Sequence, residues 1–479
     1  MNASVRMPGR LRKAPENALS AEQLAQARRA RRAFMGKALA MGAGAAATGA
    51  AAAGRGAAGA GAAGAAGAAG GRTGRASAAA ATQPREARGV PGPGEDAILK
   101  LPEHTTGLGQ PVAARGYGVP SKWEGNLQRR ESPGLTRVSA ASVSFTPLQG
   151  LFGIITPNGL HFERHHQGWW DIDPSRHRLM INGLVREARV FTMDDLMRLP
   201  SVSRIHFIEC GANSGMEWAN VAVPTVQYTH GMLSCCEFTG VLLSTLLDLC
   251  GVDRAAGRYV LAEGADGSSM TRTVSMERAL DDVIVAWGMN GEMLRPENGY
   301  PLRLVVPGVQ GVSWVKYLRR IEVGDQPYYT KDEVLHYVDL MPDGRHRQFT
   351  SIQEVKSVIT TPSGGQVLLD RGYYNVTGLA WSGRGRIKDV DVSFDGGRNW
   401  RRARLEGPVL PKALTRFNID WVRDGSPAIL QSRAVDETGQ VQPAMNRLRA
   451  VRGTRSIYHN NAIQSWRVAD TGEVFNVQV

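Results

Sequence analysis

The sequence predicts two folded domains in series, an α+β domain over residues 131–345 and an immunoglobulin-like β-sandwich over residues 350–479. Three observations predict this. Up to about Asp343 short apolar runs alternate with short helical patterns and long loops, which suits an α+β domain better than a doubly wound sheet. From about Ser351 the helical patterns stop and short strand-like runs succeed one another to the end of the chain. Before either domain, residues 38–81 are almost wholly Ala and Gly, broken by Arg55, Arg72 and Arg75, and cannot build a core.

The N-terminal segment reads as an address. Ala30-Arg-Arg-Ala-Phe-Met-Gly-Lys37 holds Arg31 and Arg32 with Phe34 two residues on, followed by a weakly apolar run from Ala38 to Gly54. This fits a twin-arginine export signal, and the expected location is the periplasm. Ala and Gly are too weakly hydrophobic for a membrane span. A disordered tail with chance arginines would look the same. Residues 82–130 are Pro/Gly-rich and read as an extended arm.

The formal charge of +13 is a property of that tail. Residues 1–90 hold 14 Lys/Arg against 3 Asp/Glu, leaving 43 basic and 41 acidic residues for the rest. The body is nearly neutral, so nucleic acid is not an expected partner.

In the first domain Arg178–Asn182, Tyr259–Ala262, Val283–Ala286 and Leu302–Val306 read as strands. Thr192–Leu199 reads as a helix, with Thr192 and Asp195 spaced as a capping pair. Val241–Cys250 reads as a short amphipathic helix stopped by Gly251. In the second domain Val390, Val392 and Phe394 alternate with Asp389, Asp391 and Ser393, a strand half buried. Asp395-Gly-Gly397 then turns it into a partner strand at Asn399–Leu405. Phe417–Val422 and Ile429–Val435 read as further strands.

Four cysteines occur, at 210, 235, 236 and 250, with neither CxxC nor CxxCH. That excludes a zinc ribbon, a thioredoxin-like pair and a covalently attached c-type haem. No GxGxxG follows a strand, so dinucleotide binding is unsupported. Cys210 differs from the other three in its setting. It ends a buried strand-like run, Arg204-Ile-His-Phe-Ile-Glu-Cys210, and is followed by Gly211, Asn213 and Gly215. A thiolate at such a turn is well placed as a soft metal ligand, although a structural cysteine would read alike.

Other polar clusters accompany it. Phe162-Glu-Arg-His-His166 offers a cationic fork and imidazoles suited to an oxyanion or a phosphate oxygen. Glu263-Gly-Ala-Asp266 is an acidic turn. Met289–Arg303 and Val306–Leu318 form a dense polar and glycine-rich stretch, in which Gly308 and Gly311 let the backbone approach a ligand.

Together these motifs resemble the sulfite oxidase family of molybdopterin enzymes, over about residues 145–479 and in both domains. Within it the chain is similar in character to the molybdenum subunit of the sulfane dehydrogenases of bacterial sulfur oxidation. The resemblance implies a sulfite-oxidase-type molybdopterin domain followed by a dimerisation domain, with molybdenum as cofactor metal. It implies Cys210 as the metal ligand, and Arg164, His166, Asp266, Asn298, Arg303, Ser313 and Lys316 around the pterin. Asn298 stands where animal members have a histidine. Arg164 and a tyrosine would face the substrate. Counting on from Lys316 gives Tyr337, with Tyr328 and Tyr329 as alternatives. Arg467, in Asn461–Val468, matches an arginine lent to the pocket by the C-terminal segment, and an exposed strand charge would read the same.

The chain departs from the family where arginines follow the asparagine of the cysteine motif. Ser214 and Gly215 stand there, and Tyr228 replaces an expected tryptophan. The implied activity is oxidation of a sulfane sulfur on a carrier protein's thiol, with electrons passed to a c-type cytochrome. Direct sulfite oxidation and a non-catalytic exported scaffold are the alternatives. A homodimer or heterotetramer is the implied assembly.

Overall fold

The computed structural model describes Leu11–Arg12, residues 117–132 and residues 139–479, apart from 219, 222, 269, 349–351 and 455–457. The twin-arginine segment, the Ala/Gly tract and most of the arm lie outside the described residues. Trp123–Val479 belong to one compact unit, which carries everything below.

The first half holds two five-stranded sheets. One runs Thr271–Ser275, Tyr259–Gly264, Leu318–Gly324, Leu179–Gly183, Arg189–Phe191, antiparallel except where Leu318–Gly324 pairs with Leu179–Gly183. The other runs Glu292–Met293, Ile284–Met289, Leu233–Leu242, Ser201–Glu209, with Arg303–Val305 also paired to Ile284–Met289. A small third sheet pairs Val143–Phe145 with Glu163–Arg164 and so fixes the backbone of Arg164. The second half is a sandwich of a four-stranded and a five-stranded antiparallel sheet around one core. This is the α+β domain followed by a β-sandwich that the sequence predicts.

The Thr192 helix forms as expected, over Met193–Met197. Thr192 Oγ1 accepts the Asp195 N–H at 3.1 Å, and Asp195 Oδ2 accepts the Thr192 N–H at 2.9 Å. Two expectations are corrected. Val241 and Leu242 end a strand, and the helix begins only at Leu243. Strand pairing to Ile284 and Val285 outweighs the apolar spacing there. The partner strand at Asn399–Leu405 is split between the two sheets. Arg401–Arg402 pairs with Asp391–Val392, whereas Arg404–Glu406 pairs with Arg416–Asn418 across the sandwich. Ala403, buried between them, makes the crossing.

The cysteine strand is longer than expected, Ser201–Glu209, and both of its faces are buried near its end. Alternation sends Phe207 into the core of the sandwich and Ile208, with Cys210, into the core of the first domain. The neighbouring strand repeats this, with Cys235 in the second core and Cys236 in the first. The vicinal cysteines therefore face opposite ways and are free thiols. Burial pushes Cys235 up to about 12 and Cys236 higher still, so both are inert packing. Among the described residues no helix is long and apolar enough to cross a membrane.

At this junction sits a buried ion pair. Lys356 Nζ donates to Glu209 Oε1 at 2.9 Å, and both residues are about 2 % exposed. Trp381 Nε1 donates to Glu209 Oε2 at 2.8 Å, and Asn213 Nδ2 to Oε1 at 2.9 Å. Lys356 and Trp381 belong to the sandwich and Glu209 to the first domain. Such a pair is stable only while complete. Lys356→Met strands a buried carboxylate and is expected to cost about 3–5 kcal/mol in urea unfolding. The double variant Glu209→Gln with Lys356→Met is expected to recover most of that. A single variant within ~1 kcal/mol of the parent contradicts the anchoring role.

Candidate active site

Cys210 leaves the strand into a tight turn. Its N–H donates to Met232 O at 3.0 Å, and its carbonyl accepts the Asn213 N–H at 2.9 Å. Asn213 Oδ1 accepts the Met232 N–H at 3.2 Å, which closes the turn from within. The sandwich grips it from outside. His459 N–H donates to Gly211 O at 2.8 Å, Asn460 Nδ2 to Ser214 O at 3.0 Å, and Lys356 Nζ to Ser214 Oγ at 2.9 Å.

The thiol opens on a cavity whose wall includes Arg164, His166, Asp266, Arg303, Lys316 and Tyr337. Four non-glycine residues at or beside it hold the left-handed conformation: Ser214 (φ 61°), Tyr317 (φ 56°), Tyr337 (φ 51°) and His459 (φ 54°). Backbone of this kind costs about 1–3 kcal/mol per residue and persists only where packing enforces it.

The wall is cationic and largely buried. Burial, then the neighbouring Arg303, pulls Lys316 down to about 7. Lys316 Nζ lies 2.9 Å from His165 Nδ1, and His165 Nε2 lies 2.9 Å from Glu163 Oε2. While Lys316 is charged it has no acceptor, so His165 then accepts at Nδ1 and donates from Nε2, as a neutral ring. Burial holds His161, His165 and His166 down at about 3 each, consistent with that tautomer. Burial also pushes the Cys210 thiol up, with Arg164 opposing. The thiol is therefore not poised as a free nucleophile. A metal, which displaces the proton on binding, is what makes a thiolate there.

The structure brings together most of the residues expected around the site. Asn298 is buried in the cavity wall beside Arg303, which donates from Nη1 to Asn298 O at 3.0 Å and from Nη2 to Trp314 O at 3.4 Å. Ser313 is buried between Val312 and Trp314, which line the cavity, but is not itself part of the wall. Of the three tyrosines only Tyr337 reaches the cavity, with its hydroxyl 3.3 Å from His166 Nε2. Tyr328 donates to Glu322 O at 3.3 Å, and Tyr329 is exposed. Tyr228 packs edge-on against Phe145, away from the wall.

Arg467 is corrected. Trp466 and Val468 take the inward positions of strand Ser465–Val468, and Arg467 points out over the Phe475 ring. The structure does not bring it to the cavity. Sequence reasoning missed His161 and Tyr458, and noted His165 only as part of the Phe162–His166 run. His161 adjoins that run. Tyr458 comes from the far end of the chain and stacks on Tyr337 with ring centres 4.8 Å apart, which no local pattern signals.

The comparisons with known proteins agree with this geometry. Residues 166–331 match the model of the oxidoreductase molybdopterin binding domain, and residues 347–466 that of the Mo-co oxidoreductase dimerisation domain. The solved structure of the sulfane dehydrogenase SoxCD from Paracoccus pantotrophus is 48 % identical, with a TM-score of 0.79, covering 81 % of this chain and 100 % of that one. The chain belongs to the sulfite oxidase family of molybdopterin enzymes. Mitochondrial sulfite oxidase of Mus musculus is 32 % identical over 317 residues, 61 % of this chain and 58 % of the mouse protein. The chain thus spans somewhat over half the length of that relative. The nitrate reductase [NADPH] of Phytophthora infestans is 30 % identical over 61 % of this chain and 36 % of its own length.

The cofactor of the family is the molybdenum–pterin group, and the residues present fit it. Three buried polar atoms on residues of the cavity wall have no hydrogen-bond partner: His161 Nε2, Asn298 Oδ1 and Arg303 Nε. Because His161 Nδ1 sits 2.7 Å from Phe162 O and must donate there, its Nε2 is an acceptor. Two acceptors and a donor left over in a buried wall match the mixed edge of a heterocycle. Lys316 and Arg164 suit a phosphate. Among the described residues no three His, Cys, Asp or Glu side chains converge as a metal-ligand set, and Cys210 is the thiol on the cavity wall.

The three neutral histidines give a pH prediction. Their folded values lie below the unfolded value of about 6.5, so below that pH the unfolded chain holds protons the folded one refuses. Stability is then expected to fall as pH falls, these three contributing a slope of up to about 4 kcal/mol per pH unit near pH 5, to which the likewise depressed His206 and His230 add. Urea unfolding of cofactor-free protein at several pH values checks this, and His161→Gln should reduce the slope by about 1.4 kcal/mol per pH unit.

Proposed function

We propose that this protein oxidises the sulfane sulfur of a thiol adduct on a carrier protein. In this reading it is exported to the periplasm by the twin-arginine route and passes electrons to a c-type cytochrome. The observation that carries the reading is the cysteine turn. Ser214 and Gly215 place no cation at the thiol, and Ser214 Oγ is engaged by Lys356. A turn built this way suits a bulkier, less charged sulfur than free sulfite. The likeness to SoxCD, over the whole of that chain, supports the same substrate class.

Molybdenum supplies oxygen transfer to sulfur, two electrons at a time, with the oxygen drawn from water and two protons released. The protein's own groups bind and orient. Arg164 provides a cation beside Cys210 and stabilises negative charge that grows on oxygen. Tyr337 holds its hydroxyl at the wall against His166, where it can donate to or accept from a substrate oxygen. Burial raises that phenol well above its ordinary value, so it works as a neutral hydroxyl. The chain has no CxxCH, which supports an electron acceptor on another chain.

A direct sulfite dehydrogenase is the second reading, favoured by the likeness to the mouse sulfite oxidase. Turnover with a carrier-bound sulfane and with free sulfite separates the two. Turnover of the carrier adduct with slow or no sulfite oxidation is expected, and preference for sulfite contradicts the first reading. Cys210→Ser should keep the fold and lose turnover by at least about a thousandfold, which stopped kinetics on folded variant would check.

A further inference from the structure

We propose that Arg272, beside the Tyr337 wall of this cavity, is a second oxyanion-binding residue, taking the oxygens of a sulfur oxyanion on its unpaired N–H groups. The proposal rests on the sulfur-oxidising reading above and adds the residue that would receive the oxidised product.

Arg272 lies on strand Thr271–Ser275 and is only 4 % exposed. Neither its Nε nor its Nη1 has a hydrogen-bond acceptor. Glu333 Oε1 is 3.7 Å from Nε, close enough to balance the charge but too far to accept a hydrogen bond. That carboxylate is already occupied. It accepts the Thr273 N–H at 2.7 Å, the Thr273 hydroxyl at 2.9 Å and the Thr330 N–H at 3.1 Å. The arginine is therefore anchored as a charge while its donors stay open. A buried guanidinium in that condition calls for an acceptor.

The acceptor's place follows from the strand. Met270, two residues before Arg272, lines the cavity. The Arg272 guanidinium carbon lies 5.4 Å from the centre of the Tyr337 ring, which also lines it. Tyr458 stacks on that ring from the sandwich domain. A sulfur gains acceptor oxygens with each oxidation, so its product needs more donors than its substrate. Arg164 alone offers one fork, and the cysteine turn offers no cation. The fork of Arg272 has the geometry to take two oxygens.

The test is calorimetric titration of the holoenzyme with inorganic sulfate and, separately, S-sulfocysteine, which carries the same oxygens on a thiol. Arg272→Met is expected to bind both about tenfold more weakly or worse, with Arg272→Lys between it and the parent. If removing the charge beside Glu333 prevents folding, the double variant Arg272→Met with Glu333→Gln takes its place, with the same expectation. Loss for either ligand supports the site, and loss for S-sulfocysteine alone assigns it to a carrier-bound product. Unchanged affinity for both in a folded variant overturns the proposal and leaves ordered water as the acceptor, as does failure of the parent to bind either. Turnover of the parent in the same preparation reports separately on the functional reading. Inactive parent protein with Arg272-dependent sulfate binding sinks that reading and not the site.

Discussion

The site depends on one buried contact, the Glu209–Lys356 pair. Glu209 is the last residue of the strand that delivers Cys210, and Lys356 is on the first strand of the sandwich. Each charge is out of water, and each is stable only through the other and through Trp381, Asn213 and Ser214. The pair thus ties the cysteine turn to a separate domain. It also forces the turn into one shape, because Asn213 and Ser214 satisfy the same two charges. The sandwich is in this sense part of the active site, and its loop at Tyr458, His459 and Asn460 completes the grip.

From that anchor the cavity follows. Ile208 and Cys210 face the first core because Phe207 faces the second. Strained backbone at Ser214, Tyr317, Tyr337 and His459 is affordable because packing on both sides fixes it. The wall then gathers Arg164, Arg303 and Lys316 with histidines kept neutral by burial. It is a cationic surface with unmet donors and acceptors, which suits an anionic heterocycle better than a free metal ion.

Much of this was legible in the sequence where one local rule governs. The Thr192 helix follows from its capping pair, and the strand at Val390 follows from period two. The cavity residues from Arg164 to Lys316 could be read through the resemblance, because they match motifs of the sulfite oxidase family. Arg467 could have been judged better on the same terms, since Trp466 and Val468 claim the inward positions and alternation turns Arg467 outward. What could not be read is tertiary. Nothing near Ala403 announces that its strand changes sheets, and nothing near Val241 says that pairing to Ile284 and Val285 will win over helical spacing. Arg272 and Tyr458 meet Tyr337 from distant parts of the chain. Lys356 looks like any strand lysine until its carboxylate partner is seen.

The central claim is that the domain junction holds Cys210 as the single protein ligand of the molybdenum. X-ray absorption at the molybdenum edge tests it most directly, on the parent and on Lys356→Met. The account predicts a thiolate sulfur beyond the pterin's dithiolene pair in the parent, with its distance changed or spread in the variant. A parent without that extra sulfur, or a folded variant with an identical metal environment, would contradict it.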